Sequence, residues 1–272
     1  MVLLLSQTIF NNLSPSDFLA NPTPAGLAKK LDDTSESGYT YVVPLYMPDN
    51  SKKAVVLFPY AGGDAAAYTA LTAKAREEKS NIALYFVDWP EKENMSAIED
   101  ELRILATKTG VCFYSHCAGS AVAMELLDRL NAEKPCIKGY IAGASIPPRK
   151  LPVNINVWSY MSDGRIAEKL KHAGLNLENE DVAILSKHIA QFRRHTQFFG
   201  NYFRRKTNKT NITVTAVVSR KDPFTKNFSK AKLLWQRVVT DVNKVVLIDT
   251  PSHYFLNTET ALLLGLFSEL PF

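Results

Sequence analysis

One cysteine, held between small residues, is the group in this chain best suited to covalent chemistry. Val111-Cys112-Phe113-Tyr114 is an apolar, β-prone run. It leads into Ser115-His116-Cys117-Ala118-Gly119, and then into the helical pattern Ala121-Val122-Ala123-Met124-Glu125-Leu126-Leu127. The spacing predicts a strand, a very tight turn and a helix. Small residues are needed at 115 and 119, where strand and helix almost collide. A turn of this G-x-S-x-G kind lifts one side chain to the mouth of a sheet. Here the lifted residue is Cys117 in place of serine, and the chemistry it offers is an acyl-thioester formed by attack of its sulfur on a carbonyl carbon.

A free thiol is only a few per cent ionised at neutral pH, so it needs a base. His253, in Pro251-Ser252-His253-Tyr254-Phe255-Leu256, follows an apolar run and suits that role. With the chain order nucleophile, acid, histidine, the acid belongs between 117 and 253, just after a strand. Asp222 meets this condition in Val217-Val218-Ser219-Arg220-Lys221-Asp222-Pro223. It would orient His253 and stabilise the imidazolium. Asp249 also lies near a strand end, but it is only four residues from His253 and is poorly placed to reach the far ring nitrogen. The developing oxyanion needs two backbone N–H donors. Ala118, directly after the nucleophile, supplies one. Ala61, in the turn Phe58-Pro59-Tyr60-Ala61-Gly62-Gly63, is expected to supply the other, with Tyr60 the alternative. Tyr60, His116 and Tyr254 flank these groups and are expected to contact substrate. Cys112 and Cys136 read as small core residues.

The elements that must position these groups follow from the apolar pattern. Residues 54–58, 82–87, 111–114, 139–142, 212–218 and 244–248 are short, continuous apolar runs separated by helical patterns. That alternation predicts an α/β domain with a mostly parallel sheet covered on both faces. Residues 149 to about 210 break the alternation, and a helical insertion of this length predicts a lid. Its aromatic stripe, Phe192, Phe199 and Phe203, reads as lid core more than as a substrate wall. Its basic residues, Arg193, Arg194, Arg204, Arg205 and Lys206, form either a solvated face or a docking surface for an acidic partner.

The 272 residues suffice for one such domain with an insertion. A formal net charge of +5 is too mild to indicate nucleic acid. Three cysteines cannot all pair and lack metal-type spacing, which fits a reducing cytoplasm and no metal. Val2-Leu3-Leu4-Leu5 is too short for a signal segment, and no run approaches the roughly 20 apolar residues of a membrane span.

The turn Phe58-Pro59-Tyr60-Ala61-Gly62-Gly63, the elbow Ser115–Gly119 and Ser252-His253-Tyr254-Phe255-Leu256 together resemble the thioesterases of nonribosomal peptide and polyketide assembly lines, the type II kind above all. The resemblance covers roughly residues 54–272 and departs from the family at Cys117 and at Ser115. It implies an α/β-hydrolase fold with a helical lid, and a Cys117–His253–Asp222 triad. It further implies a substrate delivered on the phosphopantetheine arm of a carrier domain, with no cofactor of the enzyme's own. Phe18-Leu19-Ala20-Asn21-Pro22-Thr23-Pro24-Ala25-Gly26-Leu27-Ala28 resembles the end of such a carrier domain. Residues 1–35 are therefore expected to be a carrier remnant with a polar linker, and 36–272 the thioesterase domain. That tail favours a domain fused behind a carrier. The alternatives are a stand-alone type II editing enzyme, an esterase unrelated to carriers, and a docking module in which cysteine marks decay.

Overall fold

Continuous apolar runs become strands buried on both faces in the middle of one sheet, which has seven strands among the described residues. They are β1 (Val42–Tyr46), β2 (Lys53–Phe58), β3 (Ile82–Val87), β4 (Gly110–His116), β5 (Ile137–Gly143), β6 (Thr210–Ser219) and β7 (Val239–Ile248). Their order is β1-β3-β2-β4-β5-β6-β7. Every pairing is parallel except that of β1 with β3. The computed structural model describes Thr23 and residues 40–88, 95–132, 135–148, 157–175 and 182–272. The carrier-like segment expected over residues 1–35 lies outside the described residues, Thr23 apart.

The helices are α1 (Thr69–Glu77), α2 (Met95–Lys108), α3 (Gly119–Leu130), α4 (Asp163–His172), α5 (Val182–Arg205), the short α6 (Ala231–Trp235) and α7 (Thr260–Ser268). Side chains alternate across a strand, so β2 divides its residues between two cores. Ala54, Val56 and Phe58 pack with α2 and α3, whereas Val55 and Leu57 pack with α1 and α7. Both faces are covered, which is why these strands read as unbroken apolar runs. No helix among the described residues is long and apolar enough to cross a membrane.

Strand β1 is an addition to the six expected. It is a five-residue edge strand with an exposed Pro44 and a register irregularity between Pro44 and Tyr46. A proline is tolerated at a sheet edge, and there it breaks the apolar pattern by which a strand is read. Strand β7 also begins earlier than expected, because its first half is polar and partly exposed.

The crossovers place the carboxyl ends of β2, β4, β6 and β7 along one edge of the sheet. Ligands of open parallel sheets bind outside this edge. The described parts of the helical insertion pack there as a third cluster, joining Ile166, Leu170, Ile189 and Phe192 to Ala61, Ala118 and Tyr254.

Candidate active site

Strand β4 ends at His116, and the chain reverses direction at Cys117. Cys117 adopts φ +52°, the left-handed region that non-glycine residues seldom enter. Holding it there costs on the order of 1–3 kcal/mol, which the surroundings must supply. The Cys117 N–H donates to Gly143 O of β5 (2.9 Å), and Ser120 Oγ donates to Cys117 O (2.9 Å). Gly119 is demanded by the close approach of β2. A Cβ there would lie 2.3 Å from Pro59 O and 2.7 Å from Phe58 O. Ser115 is fully buried, and its hydroxyl pairs with Tyr140 Oη at 2.6 Å.

Asp222 leaves β6 and His253 follows β7, and the two meet at the elbow. His253 Nδ1 lies 2.7 Å from Asp222 Oδ2. The same oxygen accepts from Thr225 Oγ1 (2.8 Å), and Oδ1 accepts from Phe224 N–H (2.7 Å). Both residues are buried, Asp222 at 2% exposure and His253 at 1%. Burial pushes the Asp222 carboxyl upward, but the His253 hydrogen bond and charge, with the Phe224 and Thr225 donors, outweigh it and hold the group below the usual carboxylate value. Burial disfavours the His253 imidazolium. The Cys117 sulfur and the Asp222 carboxylate outweigh this in turn, and they raise His253 above the ordinary histidine value. Among the described residues the other ring nitrogen, His253 Nε2, is buried with no oxygen or nitrogen partner, and the Cys117 thiol is the group beside it. Asp249 is elsewhere, in an exposed ion pair with Arg220 at 3.0 Å.

Cys117, Ala118, Ala61, Tyr60, His253 and Tyr254 all line one cavity of about 360 Å³. Among the described residues neither the Ala61 nor the Ala118 amide has an acceptor within the protein. The amides of Gly62 and Gly63 are both engaged, with His195 Nδ1 (3.2 Å) and Tyr60 O (2.9 Å). Trp158, Phe192, Phe199 and Phe224 complete an apolar wall suited to a hydrocarbon chain.

His116 does not contact this cavity, contrary to expectation. It is fully buried behind the elbow. Its Nε2 donates to His253 O (2.8 Å), so Nδ1 is the unprotonated nitrogen and accepts from the Tyr114 hydroxyl (2.9 Å). Burial, reinforced by the charge of His253, pushes its pKa down to about 3. It is a neutral brace for the histidine loop. The aromatic stripe also divides differently from the expectation. Phe192 and Phe199 wall the cavity, whereas Phe203 joins the sheet core. Of the basic residues, Arg193 donates to Trp158 O, Met161 O and Asp163, and Lys206 pairs with Asp128. Arg194, Arg204 and Arg205 are exposed.

Three contributors escaped the sequence reading. Thr225 holds Asp222, three residues from it in an Asx-type turn whose Asp-Pro-Phe-Thr pattern is a usable signal. Ser145 lines the cavity just past the end of β5 and pairs with Ser120 Oγ (2.7 Å). His195 reaches the turn after β2 from α5, 133 residues away, and nothing local marks it.

No protein-family model matches the chain, and a comparison with curated proteins finds no significant relative. Solved structures do share the fold. YbtT, a type II thioesterase from the yersiniabactin NRPS/PKS biosynthetic pathway, aligns with a TM-score of 0.63 at 18% identity, over 85% of this chain and 96% of its own. RedJ, a thioesterase from the prodiginine pathway in Streptomyces coelicolor, aligns with a TM-score of 0.67 at 19% identity, over 86% and 92%. SrfTE, the thioesterase domain described in the cyclisation of surfactin, gives 0.60 at 16% identity, over 86% and 96%. The seven-stranded, mostly parallel sheet with flanking helices is thus the α/β-hydrolase fold of these thioesterases.

Proposed function

We propose that this chain is a thioesterase that takes an acyl or peptidyl group from the phosphopantetheine arm of a carrier domain onto Cys117, and releases it by hydrolysis, aminolysis or cyclisation. One observation carries the reading. A buried histidine gives one ring nitrogen to a carboxylate, and among the described residues the other, Nε2, has only the Cys117 thiol to engage. An orphaned buried nitrogen costs about 1–3 kcal/mol unless a reacting group uses it.

The steps follow from the geometry. Cys117 Sγ attacks the thioester carbonyl after its proton has passed to His253 Nε2. The raised pKa of His253 favours that imidazolium, and Asp222 holds its Nδ1–H. The oxyanion takes hydrogen bonds from the Ala118 and Ala61 amides. Collapse breaks the bond to the arm's sulfur, which leaves as a thiol with the proton from Nε2. Water, an amine or a hydroxyl of the chain itself then attacks the new thioester. His253 accepts the attacker's proton and returns it to the Cys117 sulfur. The only prosthetic group needed is the arm, which belongs to the carrier.

The test is intact-mass analysis of the protein with an acyl phosphopantetheine thioester. An acyl adduct on Cys117 followed by a released product supports the reading, and no adduct points instead to a docking module. Preference for simple oxygen esters would mark an unrelated esterase. Removal of stalled acyl groups by a stand-alone editing enzyme is the second reading, favoured by the fold's likeness to type II thioesterases such as YbtT. Faster turnover of short, aberrant acyl groups than of a full-length chain would select it.

A further inference from the structure

Ala61 sits between two peptide planes, and His195 engages the backbone on both sides of it, at Tyr60 and at Gly62. The plane before it ends in Tyr60 O, which accepts from Gly63 N–H at 2.9 Å, within the turn itself. The plane after it ends in Gly62 N–H, which donates to His195 Nδ1 at 3.2 Å. His195 belongs to α5 in the helical insertion, far from the turn in sequence. The helix also lies directly on the turn. A Cβ on Gly62 would come within 3.1 Å of His188 O, and Gly62 has φ +80°. A turn with two consecutive glycines has little stiffness of its own.

We propose that His195 is a positioning residue for the oxyanion-binding turn: as a neutral acceptor for Gly62 N–H, it fixes the conformation of Ala61 and so aims the Ala61 amide into the cavity. This rests on the reading of Cys117 as an acyl-accepting nucleophile. The nitrogen facing Gly62 must be unprotonated to accept. The environment enforces this: His195 is 6% exposed, and burial, reinforced by the charge of Arg194, pushes its pKa down to about 3. An oxyanion donor works only within about 2.7–3.1 Å of the developing charge, so a drift of the turn costs rate without touching the thiol. The inserted helix thereby supplies part of the acyl-transfer geometry as well as a cavity wall.

The test compares two reactions of Cys117 in His195→Leu and His195→Asn. Acylation by an acyl N-acetylcysteamine thioester needs the oxyanion donors, whereas alkylation by iodoacetamide needs only the thiolate. Leucine removes the acceptor, and asparagine can return one, its Oδ1 lying near the place of Nδ1. The expected result is a roughly 10- to 100-fold slower acylation in His195→Leu, unchanged alkylation, and recovery of most of the acylation in His195→Asn. Equal losses in both reactions would assign His195 a general packing role and overturn the proposal, as would normal acylation in His195→Leu. Failure of asparagine to recover any rate, in a variant with wild-type melting temperature, would also overturn it. If the wild-type protein alkylates but never acylates, the thioesterase reading falls, and this inference with it.

Discussion

Asp222→Asn exchanges a single oxygen for an amide nitrogen and removes the acceptor on which the site's geometry depends. Three donors converge on this carboxylate: Phe224 N–H on Oδ1, and Thr225 Oγ1 and His253 Nδ1 on Oδ2. An amide has only one acceptor oxygen. If that oxygen faces His253 and Thr225, the amide nitrogen meets Phe224 N–H, donor against donor, at a spacing of 2.7 Å. If the oxygen faces Phe224, the amide nitrogen confronts His253 Nδ1, which must become an acceptor. The ring proton then moves to Nε2, and that nitrogen can no longer take the proton of Cys117. Two overlapping estimates bracket the loss. A charge-assisted hydrogen bond contributes about 1.5–3 kcal/mol. A full charge about 4 Å away contributes about 4 kcal/mol at an effective dielectric of 20. At about 1.4 kcal/mol per decade, acylation slows by about 10- to 1,000-fold. Early-time intact-mass measurements of the Cys117 adduct read this directly, with melting temperature as the folding control. An Asp222→Asn protein that is folded and acylates at the wild-type rate refutes the reasoning, above all if Asp249→Asn is the damaging change.

Cys117→Ala is expected to abolish the acyl adduct, and Cys117→Ser to acylate more slowly while holding a longer-lived ester, both followed by intact mass; an adduct in the alanine variant would refute the nucleophile. The Asp222–His253 pair also predicts a pH window for stability. Asp222 has a lowered folded value, so its contribution is present above about 3.9 and lost as pH falls through that folded value; His253 has a raised one, so its contribution is complete below about 6.5 and lost as pH rises through it. The difference in melting temperature between wild type and Asp222→Asn should therefore be greatest between these limits and shrink on both sides, and a difference independent of pH would contradict the charge assignment. Arg204→Glu combined with Arg205→Glu tests the basic face at two of its exposed members. Docking of an acidic carrier predicts a higher KM for a carrier-linked substrate, an effect weakened as salt shortens the Debye length from about 10 Å at 0.1 M to about 3 Å at 1 M, and no change with a small thioester.

What the sequence made legible was local. The elbow could be read because its constraint is steric and lies within five residues: Gly119 has no room for a Cβ, and Cys117 must turn left-handed. That Asp222 rather than Asp249 meets His253 could be read because Asp249 lies only four residues from that histidine, too near to turn back onto its far ring nitrogen. What depends on neighbours distant in sequence could not be read. His116 looked like a cavity residue because it adjoins Cys117, but alternation along β4 turns it away, onto His253 O and Tyr114. His195 carries no local signal, since its partner Gly62 lies 133 residues away. Strand β1 was hidden by Pro44, which interrupts the apolar pattern and is harmless only because β1 is at the edge.

The cysteine alters what the site must accomplish after acylation. With a serine, transfer from a carrier thioester to an oxygen ester runs downhill and spends the activation of the acyl group. On the reading proposed above, transfer onto Cys117 would be thioester to thioester and nearly isoenergetic, so the enzyme-bound group would stay as reactive as the one delivered. The fate of that group then depends on which nucleophile reaches the carbonyl while His253 Nε2 is free to take its proton. Trp158, Phe192, Phe199 and Phe224 wall the approach with apolar surface, and Tyr60, Ser145, Thr196, Thr225 and Tyr254 add polar groups to it. The apolar wall gives an amine or hydroxyl carried on an apolar chain a surface to lie against. On the reading proposed above, the balance between hydrolysis and amide or ring formation would be set by α5 and the loop after β6, which carry the apolar wall, since Asp222 and His253 would activate every nucleophile alike.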